Sequence, residues 1–209
     1  NMNSEEETKL NYEEGSEWHI QKSLNYNIGK YIDIFVKGLK GKKILEIGVG
    51  AGRDIQHFKK GGIIVEGIDY SQKFIDHCKK SFPDLKFRLG DIRKIDLSHG
   101  LYDGIWAFAS LLNMPKNDLK ILLPQLRSSL KEGGEIFISV KEGEGEKVIS
   151  DVAGRRLFSF YKLDELKSLV EESGFKIVFT DKISDYDLTG KNKDKEKPGW
   201  IFLLGLKTI

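Results

Sequence analysis

Apolar residues follow two rhythms along this chain. Short continuous runs at 43–48, 63–68 (IIVEGI), 102–107 (YDGIWA), 135–140 (EIFISV) and 200–206 (WIFLLGL) predict strands. They are too short for buried helices and rich in β-branched and aromatic residues, as strands covered on both faces are. Shorter runs at 86–89 and 175–180 predict two more. Between them the spacing turns helical. Trp18, Ile20, Leu24, Ile28, Tyr31, Ile32, Phe35, Val36 and Leu39 predict N-terminal helices broken near Gly29. Further helices are predicted over 52–60, stopped by Gly61 and Gly62, and over 71–81, closed by Pro83. The segment 117–131 is helical with Pro124 inside it, so a kink or a late start is expected, and 163–173 ends at Gly174.

Strands alternating with helices imply a parallel sheet with both faces covered. The last two strands have no helix between them and therefore pair as an antiparallel hairpin. Residues 3–15 are acidic and aperiodic and read as a mobile lead-in or a loop that orders late; 141–156 and 184–199, with its charge run KNKDKEK at 191–197, read as polar surface loops. The expected organisation is a tail and helical segment over 1–40 and one core over 41–209, without repeats.

Candidate chemistry collects where strands end. Ile44–Asp54 (ILEIGVGAGRD) is a strand, a turn on Gly48, Gly50 and Gly52, and a helix start. Glycines at such a turn permit positive φ and a close ligand approach. Arg53 stands where a dinucleotide fingerprint wants its third glycine. Asp69 closes the next strand, placed to accept from both hydroxyls of a ribose or to cap the helix behind it. Tyr70 could stack on a base. Asp91 could accept an adenine amino group while the Ile92 amide serves a ring nitrogen; a turn aspartate is the plainer reading. Glu46, a carboxylate inside an apolar strand, must meet amides or a ligand ammonium. Arg53 could reach a ligand carboxylate.

Composition narrows the classes. With 34 basic against 32 acidic residues the net charge is +2, which gives nucleic acid no strong pull. One cysteine excludes an internal disulfide and fits a reducing, cytoplasmic setting. There is no apolar leader segment and no run long enough for a membrane helix, so no membrane partner is expected. His19, His57, His77 and His99 lack ligand spacing, so no metal is expected, and Cys78 reads as inert.

Taken together, these segments resemble the class I S-adenosylmethionine-dependent methyltransferases, from about Tyr26 to Leu206. LEIGVGAG looks like motif I, GID at 67–69 like the end of strand two, and GDI at 90–92 like the adenine-side motif. YDGIWA looks like motif IV, and LKEGGEIFIS like the approach to strand five. The resemblance implies a Rossmann-like three-layer α/β sandwich. Its sheet would have seven strands in order 3-2-1-4-5-7-6, strand 7 antiparallel, under an N-terminal helical lid. It implies adenosylmethionine as cofactor, adenosylhomocysteine as product, and a small-molecule acceptor for a monomer or homodimer. Cofactor contacts would come from Glu46, Gly48, Gly50, Gly52, Arg53, Asp69, Tyr70, Asp91, Ile92, Ala107 and Phe108, with Tyr26 closing from the lid or packing in the core.

Methyl transfer from a sulfonium needs alignment and desolvation more than an acid or base. Segment 107–113 would flank the methyl, and Asn113 falls where related enzymes carry a polar residue or histidine. His19 is a candidate base, and Tyr161 would lie near the acceptor. Lys141, Arg155 and Arg156, with the aromatic residues after them, would form a basic mouth for an anionic or planar acceptor, or else a solvated loop. No D/N-P-P-Y/F/W motif follows strand four, so exocyclic base amines are not the expected target. The rival readings are a nicotinamide-dependent oxidoreductase, a non-catalytic adenosylmethionine-binding module, and an RNA or protein methyltransferase that needs a partner subunit.

Overall fold

The computed structural model describes residues 3–22, 26–151, 154–191 and 197–208. Its first element overturns the expected mobile lead-in, because Ser4–Glu14 is a helix (α1). The Asn3 side chain accepts from the Glu5 and Glu6 amides, and the Glu6 carboxylate accepts from the Asn3 N–H, a reciprocal cap. Glu5, Glu6 and Glu7 occupy its first turn, where the helix dipole favours negative charge. Thr8 is its buried residue, so α1 has no apolar stripe and is held by polar contacts instead. Next come α2 (Ser16–Lys22) and α3 (Gly29–Gly38). α3 buries Tyr31, Ile32 and Phe35. Leu24 lies outside the described residues.

The alternation then runs β1 (Lys43–Ile47), α4 (Arg53–Lys60), β2 (Ile64–Asp69), α5 (Gln72–Ser81), β3 (Lys86–Leu89), β4 (Tyr102–Ala107), α6 (Lys116–Ser129) and β5 (Leu130–Glu142). After these come β6 (Glu146–Asp151), β7 (Gly154–Tyr161), α7 (Leu163–Glu172), β8 (Phe175–Ile183), α8 (Asp185–Thr189) and β9 (Trp200–Lys207). α6 is continuous through Pro124, starting directly after Pro115.

The strands β3-β2-β1-β4-β5 pair in parallel. β9 lies antiparallel between β5 and β8. That is the expected seven-stranded order, its last two strands being β9 and β8. The sheet has nine strands because β6 and β7 add a hairpin at the far end of β5, joined to it through Lys141↔Phe160 and Glu142↔Tyr161. The expected polar loop over 141–156 is therefore mostly sheet. Along β7 Leu157, Ser159, Phe160 and Tyr161 are buried while Arg155 is exposed, so the strand is charged and open at its start and covered at its end, with no clean alternation to read. The segment 184–199 likewise contains α8, capped by the Ser184 hydroxyl, which accepts the Asp187 amide. Its charge run lies largely outside the described residues.

The core is aromatic at the centre of the sheet. Trp106 stacks on Phe137 at 4.2 Å and meets Phe35 and Phe58 at 5.2 and 5.4 Å. Such rings supply large burial, each pair adding about 0.5–1.5 kcal/mol beyond area. The order 3-2-1-4-5 makes β1 and β4 diverge in their connections, which opens a crevice at their carboxyl ends. α1 crosses that edge. The Leu157 amide donates to Thr8 Oγ1 at 2.7 Å, and Glu13 accepts from the Ser71 hydroxyl at the start of α5. No described helix is long and apolar enough to cross a membrane.

Candidate functional site

At the end of β1, Gly48, Gly50 and Gly52 all take positive φ, +75°, +49° and +73°. Positive φ is costly for a residue with a Cβ, so this bend is available only to glycine-rich sequence. It turns the Gly50 amide onto Asp69 Oδ2 at 3.0 Å, while Asp69 Oδ1 accepts the Ser71 amide at 2.9 Å. Burial pushes the Asp69 carboxyl up to about 6, against the pull of the Ser71, Gly50 and Tyr70 amides. A carboxylate offers about four acceptor sites, so capacity remains beyond these amides. The helix behind Asp69 is capped by Ser71, whose hydroxyl accepts the Phe74 amide, so Asp69 is not that helix's cap.

Glu46 lies beneath the same bend, 3% exposed, with Oε2 buried and without a hydrogen-bond partner among the described residues. Burial first and then Asp54 push its carboxyl well above the usual range, while Arg53 pulls the other way. Arg53 is committed elsewhere. Its Nε and Nη2 donate to Asp54 at 2.5 and 2.9 Å, and its guanidinium lies between the Tyr26 and Phe108 rings at 4.9 and 4.7 Å. Asp54 also accepts from Trp106 Nε1 at 2.8 Å. Buried Ala107 ends β4 beside this cluster.

A cavity of about 60 Å³ lies across the strand ends, lined by Gly48, Asp69, Tyr70, Asp91, Ile92 and Asn113 among the residues expected from sequence. Its roof is α1, through Glu5, Thr8 and Lys9. Lys9 Nζ reaches Asp91 Oδ2 at 2.8 Å, and Arg93 holds both Asp91 oxygens at 3.0 and 2.6 Å. Burial raises the Asp91 carboxyl, but Arg93 and Lys9 outweigh it and hold it far below the usual range. Arg93 also reaches Glu5 on α1 and Asp118 on α6.

Tyr12, also on α1, had no sequence signal. Its hydroxyl donates to Asn113 Oδ1 at 3.0 Å and accepts from Arg156 Nη1 at 3.1 Å, and the Asn113 amide donates to the Leu157 carbonyl at 2.7 Å. Asn113 thus ties α1, the turn after β4 and β7 together. His19 packs on the Tyr12 ring at 4.8 Å and near Phe74 at 6.3 Å. The expected basic mouth divides. Arg156 joins the Tyr12 cluster. Arg155 is exposed and pairs with Glu7 at 3.3 Å. Lys141 pairs with Asp185 at 2.5 Å over the Trp200 ring. Tyr161 is buried with Lys116 over its ring at 4.6 Å, away from the cavity.

Residues 44–134 match the family model described as a methyltransferase domain. That match, over less than half of the chain, makes this stretch similar to a methyltransferase domain. Over 114 residues the chain is 29% identical to a ubiquinone biosynthesis O-methyltransferase of Coxiella burnetii, covering 53% of this chain and 47% of that one. It is 25% identical over 150 residues to a malonyl-[acyl-carrier protein] O-methyltransferase of Erwinia pyrifoliae, covering 70% and 55%. The chain thus spans about half the length of these curated relatives. In fold it resembles the Burkholderia thailandensis 1,6-didemethyltoxoflavin-N1-methyltransferase, solved with bound 1,6-didemethyltoxoflavin and S-adenosylhomocysteine. That similarity has a TM-score of 0.76 at 17% identity over 96% of this chain and 87% of the other.

Proposed function

We propose that this chain binds S-adenosylmethionine at the carboxyl ends of β1 to β4 and directs its methyl group to a nucleophilic oxygen or nitrogen of a small molecule. The observation that carries this reading is the unfinished electrostatics at the glycine bend. Asp69 is buried with acceptor capacity to spare, as a ribose diol requires, and Glu46 is buried with one oxygen unpaired, as an ammonium requires. The residues present therefore fit an adenosyl amino acid. The donor supplies an activated methyl on a sulfonium.

The protein's share of the work is alignment and exclusion of water. In this reading Gly48–Gly52 let the ligand approach the main chain, Asp69 fixes the sugar, and Tyr70, Asp91 and Ile92 border the base. The acceptor is held beside Tyr12, Asn113 and Arg156. Asn113 orients without taking a proton, since a carboxamide is not a base at neutral pH. Residues 1–40 act as the lid. A cavity of about 60 Å³ is far below the roughly 300–1,000 Å³ of ordinary ligand sites, so α1 must lift to admit the nucleoside. The oxygen-directed relatives favour an acidic hydroxyl or carboxyl acceptor.

Calorimetry with adenosylhomocysteine, followed by transfer of a labelled methyl group to a panel of phenols, carboxylic acids and heteroaromatic amines, tests the reading. Binding together with labelling of one small acceptor class is the expected result. Absence of adenosylhomocysteine binding at millimolar concentration would overturn it.

A further inference from the structure

The turn after β4 is strained, and the strain is pinned from behind. Ala109 takes φ +52°, the one described non-glycine residue in the left-handed region. Such outliers persist where surrounding structure enforces them, and they concentrate at functional sites. Here the enforcing group is Ser139 on β5. It is fully buried, and its hydroxyl accepts the Ala109 amide at 2.8 Å.

The pinned turn delivers the next residue, Ser110, against the glycine bend. A Cβ placed on Gly48 would stand 2.5 Å from the Ser110 Cβ, so the two turns touch at the crevice between β1 and β4. Ser110 lines the cavity. Its hydroxyl is buried, has no hydrogen-bond partner among the described residues, and does not cap the short 3-10 turn that follows. A buried hydroxyl left unpaired is costly, so a ligand group is the natural complement.

We infer that Ser110 is a binding residue for the amino-acid arm of the cofactor, and that Ser139 positions it through the Ala109 turn. The assignment rests on the cofactor reading above and follows from the layout of the edge. Asp69 and Asp91 lie toward β2 and β3, on the sugar and base side. Ser110 stands on the other side of Gly48, toward β4, and Glu46 offers its unpaired oxygen under the same bend. The charged arm of an adenosyl amino acid is the part of the ligand left to fill that side.

The test compares two ligands by calorimetry on the full chain: adenosylhomocysteine, which has the arm, and methylthioadenosine, which lacks it. Ser110→Ala should weaken adenosylhomocysteine about five- to twentyfold, as loss of a hydrogen bond to a charged group does, and leave methylthioadenosine within about twofold. Ser139→Ala should give a smaller loss with the same ligand selectivity, which a general loss of packing would not produce. Should Ser139→Ala fail to fold, Ala109→Gly loosens the same turn and should show the same selectivity with an unchanged or higher Tm. Unchanged adenosylhomocysteine affinity in Ser110→Ala overturns the inference. So does an equal loss for both ligands, which would assign the hydroxyl to the adenosine side, or an effect confined to the acceptor KM. A wild-type chain that binds neither ligand would instead bring down the cofactor reading itself.

Discussion

Buried carboxylates stand at both ends of the parallel strands, and the fold treats them differently. At the amino end Asp103 accepts Lys131 Nζ at 2.9 Å and the Lys43 amide at 3.0 Å. Burial pushes its carboxyl up, but the ammonium and the amide win and hold it below the usual range. At the carboxyl end Asp69 is equally hidden, 8% exposed against 6% for Asp103, yet it is served by backbone amides and sits up at about 6. Glu46 next to it has an unpaired oxygen. Residue type and burial are the same at the two ends. What marks the carboxyl end is not the number of donors, since three amides serve Asp69, but the lack of a cationic side-chain partner for Asp69 among the described residues and the unpaired oxygen of Glu46, in a place that opens on a cavity. Asp103 is electrostatically finished; on the reading proposed above, the carboxyl end is completed by a ligand carrying hydroxyls and a cation.

Removing the acid that faces the cavity should do most damage to binding. Asp69→Ala is expected to weaken adenosylhomocysteine by about 1.5–3 kcal/mol, the scale for hydrogen bonds to a charged group. Calorimetry at neutral pH, with a melting curve to separate loss of fold, checks it. An affinity equal to wild type would mean that the lack of a cationic partner at this end has nothing to do with the sugar.

Glu135 sharpens the contrast because it breaks the simple rule. It lies at the amino end of the sheet, 2% exposed, with Oε1 unpaired, and burial pushes its carboxyl up to about 7. No cavity faces it. It packs on Gly38 at the end of α3, where a Cβ would stand 2.2 Å from its carboxylate. An unpaired carboxylate oxygen therefore marks a site only where it opens on space. The folded state binds this proton more tightly than the unfolded chain, so the contribution of Glu135 to stability is greatest below about pH 4.5 and falls as pH rises toward 7. Glu135→Gln removes that penalty. It should raise stability at pH 8 by something on the order of 2 kcal/mol, and the two proteins should converge near pH 4. Denaturant midpoints at the two pH values measure this, with adenosylhomocysteine affinity unchanged. A variant less stable than wild type at pH 8 would show that the carboxylate has a partner that the amide cannot replace.

The same contrast governs what could be read from the chain. The central strands were legible because both faces are covered, which leaves unbroken apolar runs, and because Gly61, Gly62, Pro83 and Gly174 punctuate the helices between them. The strand-end residues Gly48, Asp69, Tyr70, Asp91 and Ile92 came with them, since each is fixed by where its own strand stops. α1 escaped because its hold on the rest of the molecule is polar. Only the pair Asn3 and Glu6 signalled a helix start. The β6–β7 hairpin escaped because it is an outer pair rich in charge whose burial follows no period of two. With it went the position of Tyr161 and Lys141, which the β5–β7 register carries away from the cavity. Tyr12 and Lys9 were invisible for a different reason. Tyr12 meets a residue 101 positions away, and no local pattern records such a partnership.

Lys9 tests whether the lid competes with the ligand it covers. Its bond to Asp91 joins a half-exposed ammonium to a carboxylate that Arg93 already holds, so its net worth is small, about 0.2–1 kcal/mol. While it stands, an adenine amino group finds that oxygen already taken and α1 closed above it. Lys9→Met removes the competitor and loosens the roof at one stroke. Adenosylhomocysteine affinity should therefore rise by a few-fold, with most of the gain in the association rate. The gain should be largest at low ionic strength and fade as salt screens the wild-type pair, because added salt shortens the Debye length and weakens an exposed ion pair. Stopped-flow binding across a salt series separates the alternatives. A variant that binds more weakly at every salt concentration would make Lys9 part of the ligand's own roof, and the electrostatic shortage at the carboxyl end would then include a cation supplied by the lid.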